Sequence, residues 1–364
     1  GTLSGAAGAS FMTGSIFAAD IAPAVADRLA ASSSVVIGGG ILKLTALDGS
    51  YAAGTAYDLI TAGGGLTGGF SSIAVANPER LGGLAVNVAN TGTALRLTLA
   101  SGATTTAGAD MVAYYGATLS AGLSGLGAND TLAFLGTGNR AQGDIGGGAT
   151  LQVGAVDGAA AGLTLQSGTQ SFTTAAVQSN AALTVNSRLE ATALVNAGTL
   201  SGGGTIVGGV LNGGVVAPGN SPGVLAVSGT VENLSTATMR VEIDGPSAGT
   251  GDGYHDQLVV TGSPGTFIAG GVIEPILRGF AEADASAYTP SLGQKFTVVT
   301  ASGGVSGGFS SLTQPTSGLP SGTRFDVAYA SNAVYLAVTP TSYAALSGLT
   351  ANQQAVAAAF DGAR

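Results

Sequence analysis

The sequence predicts an all-β chain wound as a parallel β-helix, with a β cap towards its C-terminal end and a short C-terminal helix. Three observations carry this. In residues 198–229 short β-prone pieces alternate with Gly, Asn and Ser-Pro punctuation. They are Thr205-Ile206-Val207, Val210-Leu211, Val215-Val216-Ala217 and Val224-Leu225-Ala226-Val227. Strands bounded so closely by turn residues cannot each bury a face alone and must stack on copies of themselves. Residues 54–73 (GTAYDLITAGGGLTGGFSSI) align without gaps to residues 293–312 (GQKFTVVTASGGVSGGFSSL), with ten of twenty positions identical. Finally, 62 of 364 residues are Gly and only 9% are charged, yet 45% are hydrophobic, mostly the Ala, Val, Leu and Ile that fit narrow coils.

The composition also excludes partners. Net charge is −9 and the only lysines are Lys43 and Lys295, so no basic patch exists to neutralise phosphates, and nucleic acid is not an expected partner. The same deficit argues against anionic membrane surfaces. The absence of cysteine removes disulfides, thiolate nucleophiles and Cys-based metal sites. It is compatible with export in an unfolded state. No apolar run is long enough for a transmembrane helix, and residues 1–30 lack the order of a signal peptide. Gly1-Thr2-Leu3-Ser4-Gly5 recurs at Gly198-Thr199-Leu200-Ser201-Gly202, so the chain reads as part of something longer.

Four segments follow along the chain. Residues 1–100 form an N-terminal solenoid segment that holds one copy of the cap-like repeat. Residues 101–253 form β-helix coils of about 20 residues, with strands at Thr150-Leu151-Gln152-Val153, Leu163-Thr164-Leu165 and Ala182-Leu183-Thr184-Val185. Residues 254–340 form the cap, and 341–364 a linker and helix. Both repeat copies precede two further strand-like pieces, 84–88 with 95–99 and 325–329 with 334–338. Two helices are expected. Residues 17–31 place Ile21, Val25 and Leu29 at i, i+4, i+8, although Pro23 weakens the start. Residues 349–361 have Thr350 as a cap before an Ala-rich body.

The stretch Val215-Val216-Ala217-Pro218-Gly219-Asn220-Ser221-Pro222-Gly223 resembles a recurring phrase of bacterial autotransporter (type V secretion) passenger domains, near their C-terminal end. Val241-Glu242-Ile243 followed by Tyr254-His255-Asp256-Gln257-Leu258 is similar to the strand–turn–strand before that family's last coils. Residues 293–312, Arg324-Phe325-Asp326-Val327 and Val338-Thr339-Pro340 resemble its autochaperone region. Residues 349–357 resemble the helix leading into its outer-membrane β-barrel, although the barrel itself is not in the sequence. The resemblance spans about residues 198–361. It implies a right-handed β-helix, an end that folds first, and Phe296, Phe309, Phe325 and Tyr335 buried in the folding cap.

Candidate chemistry is sparse. Gly-x-Ser-x-Gly occurs around Ser221 and Ser306, but neither is followed by the helix a nucleophile elbow needs. His255 is the only imidazole and stands among Glu242, Asp252 and Asp256; an exposed turn is the expected setting, a Ser–His–Asp arrangement the alternative. Leu126-Gly127-Ala128-Asn129-Asp130-Thr131-Leu132 has the look of one calcium-roll unit, but Arg140 stands where the next unit would need a ligand. Glu242 with Asp244, or Asp252 with Asp256, are the carboxylate pairs open to a polysaccharide hydrolase or lyase, and Tyr114-Tyr115 is the one aromatic doublet, expected at the surface.

The expectation is a non-enzymatic passenger segment of a Gram-negative cell, without catalytic residues, metal or cofactor, secreted or displayed at the surface and anchored at the outer membrane in the full-length protein. It would act as a structural stalk and folding cap serving adhesion or host interaction, and virulence through them. Its partners would be the β-barrel of the full-length chain, with host surface molecules or another copy of itself. The alternatives are a β-helix enzyme acting on polysaccharide and a self-associating module.

Overall fold

The computed structural model describes residues 1–106, 108–155, 159–277 and 288–363. They form two compact units: Gly1–Leu200 with Thr205–Val210, and Ser201–Gly204 with Leu211–Arg364. Both units are parallel β-solenoids.

The first unit opens with three-sided coils. One side stacks Thr2–Ala6, Arg28–Ala31 and Ala56–Ala62 in parallel. The second stacks Ala9–Met12, Val35–Gly38 and Leu66–Gly69, and the third Ile16–Ala22, Ile41–Ala46 and Ser72–Ala76. The expected helix over 17–31 is therefore three strands, Ile16–Ala22, Val25–Ala26 and Arg28–Ala31. An i, i+4, i+8 spacing is a multiple of two as well as an approximation to 3.6, so it fits either element. Ala19 and Ile21 point inward, whereas Val25 at the corner after Pro23 is exposed.

From Asp110 onward the coils tighten to steps of about 20 residues. Asp110–Tyr115, Thr131–Leu135, Thr150–Val153, Thr169–Val177 and Arg188–Asn196 stack in parallel. Their registers superpose Val112, Leu132, Leu151, Ala175 and Leu194 as one inward column, all fully buried. Each inward side chain thus packs on its equivalents in the coils before and after, which makes stability a sum of neighbour terms. Tyr114, expected at the surface, is buried and stacks on Phe134 at 5.9 Å. Its strand is covered on both faces, a setting the doublet does not reveal.

In the second unit Val215–Pro218, Thr238–Ile243, Val272–Leu277 and Ser311–Leu312 form one parallel side. Val224–Ser228, Gln257–Thr261 and Lys295–Ala301 form another, and Val231–Asn233, Phe267–Ala269 and Val305–Gly307 a third. The C-terminal helix is Ala351–Gly362, started by a capping box between Thr350 and Gln353. Its Asp361 carboxylate accepts from Ser342 Oγ at 2.7 Å and from the Tyr343 and Ala344 N–H groups. That ties the end of the helix back to the turn before it.

The repeat is larger in three dimensions than in sequence. In the first unit, Ala56–Ala62 pairs antiparallel with Ala94–Ala100, which pairs with Ala85–Asn90. In the second, Lys295–Ala301 pairs antiparallel with Ala333–Pro340, which pairs with Thr323–Ala330. Residues 54–101 and 293–340 correspond at one constant offset, with no gap. Even the irregularity is shared. Ile60 faces Leu95 and Asp58 faces Arg96, leaving Leu59 as a bulge; Val299 faces Val334 and Thr297 faces Tyr335, leaving Val298 as a bulge. A bulge lets two successive side chains face inward on one strand. Leu59-Ile60 and Val298-Val299 are accordingly fully buried pairs.

Candidate functional site

The feature that departs from plain stacking in the second unit is the module that ends its parallel ladder. Lys295–Ala301 is parallel to Gln257–Thr261 on one side and antiparallel to Ala333–Pro340 on the other. The ladder therefore changes direction at this strand, and no further coil is added by the hairpin.

Of the four predicted cap residues, Phe296 and Phe325 are fully buried, while Phe309 and Tyr335 are half-buried. Phe296 is the centre. It meets Phe325 edge-on at 6.1 Å, Tyr288 at 6.3 Å and the His255 ring at 5.3 Å. Phe309 lies apart from this group, against Phe267 at 6.2 Å, and its N–H donates to Tyr329 Oη at 2.8 Å. Burial raises the Tyr329 phenol above its ordinary value, partly offset by that bond. Tyr335 sits across the ladder from Thr297, the place Arg96 takes in the first copy, where it forms a two-pronged ion pair with Asp58 at 2.8 and 3.1 Å.

His255 is not on an exposed turn: it is buried, with Nδ1 3.1 Å from Gly245 O and Nε2 3.3 Å from Thr297 O. Both ring nitrogens face backbone carbonyls rather than a serine hydroxyl. The lone imidazole was legible in sequence; its packing against Phe296, which lies far along the chain, was not. Burial lowers the His255 pKa below its ordinary value, against the raising effect of the two carbonyls. The unfolded chain then takes up a proton first on acidification. Stability from this site is full above the unfolded value near 6.5 and declines as pH falls from there towards the lowered folded value. We expect the urea midpoint of the second unit to drop over that window, and His255→Asn to flatten the dependence. An unchanged slope in the variant would rule the residue out as the source.

The remaining candidates divide into exposed side chains and buried ones that hold backbone groups. Ser221 is an exposed turn residue with φ of 66°, and it precedes a strand, Val224–Ser228. Ser306 is exposed on the strand Val305–Gly307. Asp130, the acidic residue of the calcium-like phrase, is buried and accepts from Gly127 N–H at 2.6 Å and Asp110 N–H at 3.0 Å. Asp110 itself is buried, which raises its pKa, against bonds from Thr106. Asn139 fills a corner, donating to Leu135, Gly136 and Gly162 carbonyls. Asp256 accepts from Gly223 N–H at 2.7 Å and Glu242 N–H at 2.9 Å, Asp244 accepts from Gly253 N–H at 2.8 Å, and Asp252 is exposed. Among the described residues no group of three or more His, Cys, Asp or Glu is placed to hold a metal ion.

The sequence did not reveal two contributors. Asn212 and Asn233 are buried and joined by a side-chain bond of 3.0 Å between successive coils. Gln314 holds the backbone of Phe325 through both ends of its amide, at 2.7 and 2.9 Å. Asn at a strand end was visible only as punctuation, and Gln314 falls in the part of the repeat where identity is lost. No family model and no curated protein matches this chain.

Proposed function

We propose that this chain is a passenger segment of the autotransporter type: a structural stalk, with the module at residues 293–340 as its folding cap. The reading rests on one observation, that an antiparallel hairpin closes a parallel solenoid at the strand Lys295–Ala301 around buried Phe296 and Phe325. An end that packs its own aromatic core can fold without a further coil and template the coils stacked on it. In this reading the passenger is exported to the cell surface, folds from the cap, and performs adhesion or host interaction through an extended surface, with no catalytic step. The outer-membrane β-barrel of a full-length chain is the expected partner of the C-terminal helix. The exposed Val356 and Phe360 give that helix an apolar face for such a neighbour.

Limited proteolysis during denaturant unfolding tests the cap. The expected resistant core spans about residues 200–340, because the neighbour-coupled stack frays away from its most stable end. Uniform loss along the chain, or a core confined to the first unit, would reject the folding-cap role.

A further inference from the structure

The two copies of the module differ at one edge. In an antiparallel pair, residues alternate between those that bond across and those that turn their N–H and C=O outward. In the first hairpin Thr91 N–H donates to Ala94 O, so Val86 and Val88 turn outward from Ala94–Ala100. There they meet a further antiparallel strand, Asp110–Tyr115, with Val86 opposite Ala113 and Val88 opposite Met111. The first copy is thus a seat on which a new strand lies.

In the second hairpin Thr341 N–H donates to Gly322 O, so Phe325, Val327 and Tyr329 turn outward from Ala333–Pro340. Phe325 corresponds to Val86. No strand pairs with it among the described residues, although Ser311–Leu312, just before Gln314, lies close to this strand. Instead, Gln314 Nε2 donates to Phe325 O at 2.7 Å and Gln314 Oε1 accepts from Phe325 N–H at 2.9 Å. A carboxamide making this pair of bonds reproduces what one residue of an incoming strand would make. The position equivalent to Gln314 in the first copy is Val75, which has no such groups and is buried in the strand Ser72–Ala76.

We propose that the outer edge of Thr323–Ala330 is a strand-accepting edge held shut by Gln314, and that a second copy of this chain occupies it when Gln314 is removed. The edge complements itself. Two copies related by a two-fold axis through Val327 bring Phe325 opposite the other copy's Tyr329, all with outward-facing groups. Asp326 then faces Ala328 of the other copy, so no like charges oppose. Unprotected edges pair with others of their kind, and proteins block them with local devices; here the device is a side chain acting as a one-residue strand. The proposal does not depend on the passenger reading.

The test is solution mass by light scattering over a wide concentration range. The unmodified chain should be monomeric. Gln314→Val, which installs the residue of the first copy, should reach twice the mass as concentration rises. Adding Val327→Pro should return it to monomer: that N–H points outward, so its loss spares the hairpin but blocks pairing across the edge. Gln314→Glu should stay monomeric, because a charge guards the edge. A Gln314→Val protein that stays monomeric with native circular dichroism, or a dimer indifferent to Val327→Pro, overturns the proposal. Hydrogen exchange on the unmodified chain decides the matter independently of whether the variants fold. The Phe325 amide should exchange several-fold more slowly than the Val327 amide, and equal rates would refute the plug.

Discussion

Phe296→Ala is expected to destabilise the second unit by about 3–5 kcal/mol, the range for truncating a fully buried aromatic side chain. The cost has two sources. The ring is completely buried, so its transfer term is lost in full, and it stands edge-on to His255 and Phe325, so the cavity is bounded by rings fixed on two other strands. Such a site has little freedom to collapse. Phe309→Ala is the control: half-buried and outside the cluster, it should cost markedly less. Urea midpoints by circular dichroism read both. Equal losses would mean that the cap has no single centre, and a small loss at Phe296 would remove the packing argument for the cap.

Asp256→Ala should be comparably severe, at about 2–6 kcal/mol. Its two carboxylate oxygens accept N–H groups from Gly223 and Glu242, and its own N–H donates to Glu242 O. The side chain therefore pins the turn after Ser221-Pro222 to the strand Thr238–Ile243. Truncation leaves two N–H donors without acceptors at a site 1% exposed, and each orphaned buried donor costs about 1–3 kcal/mol. Asp256→Asn keeps one acceptor and should recover part of the loss. Exchange protection at Gly223 gives a local readout: it should vanish in the Ala variant. Retained protection there would show that the carboxylate is not what holds the turn.

These two residues also show how far the sequence carries. Asp256 belongs to a recognisable phrase, but its chemistry reads as half of a carboxylate pair until its acceptors are known to be filled by amides. Phe296 was expected in the cap from the resemblance to the autochaperone region, and in the repeat it aligns with another aromatic residue, Tyr57. The hairpin that covers it was legible only as two strand-like pieces. Strand direction is not encoded in alternation, since parallel and antiparallel strands share a period of two. The solenoid class was readable for the opposite reason: every coil repeats the same local statement, turn residue then short apolar strand, and repetition compensates for the weakness of each instance. Where a residue's role depends on one distant partner, as for Gln314 with Phe325 or Tyr114 with Phe134, nothing in the local pattern marks it.

The shared bulge sets where the chain tolerates changes in length. Successive coils differ in length: Met111 lies opposite Thr131, but Thr150 opposite Thr174. The corners absorb the difference, since only the strands need to align. Inside the duplicated module the two copies agree residue for residue through three strands and one irregularity. A residue added within its base strand would turn Leu59-Ile60 or Val298-Val299 and everything after it to the opposite face. Peptide tags and foreign loops therefore belong at the corners of the coils; the base strands of the two modules are the places to leave at their present length.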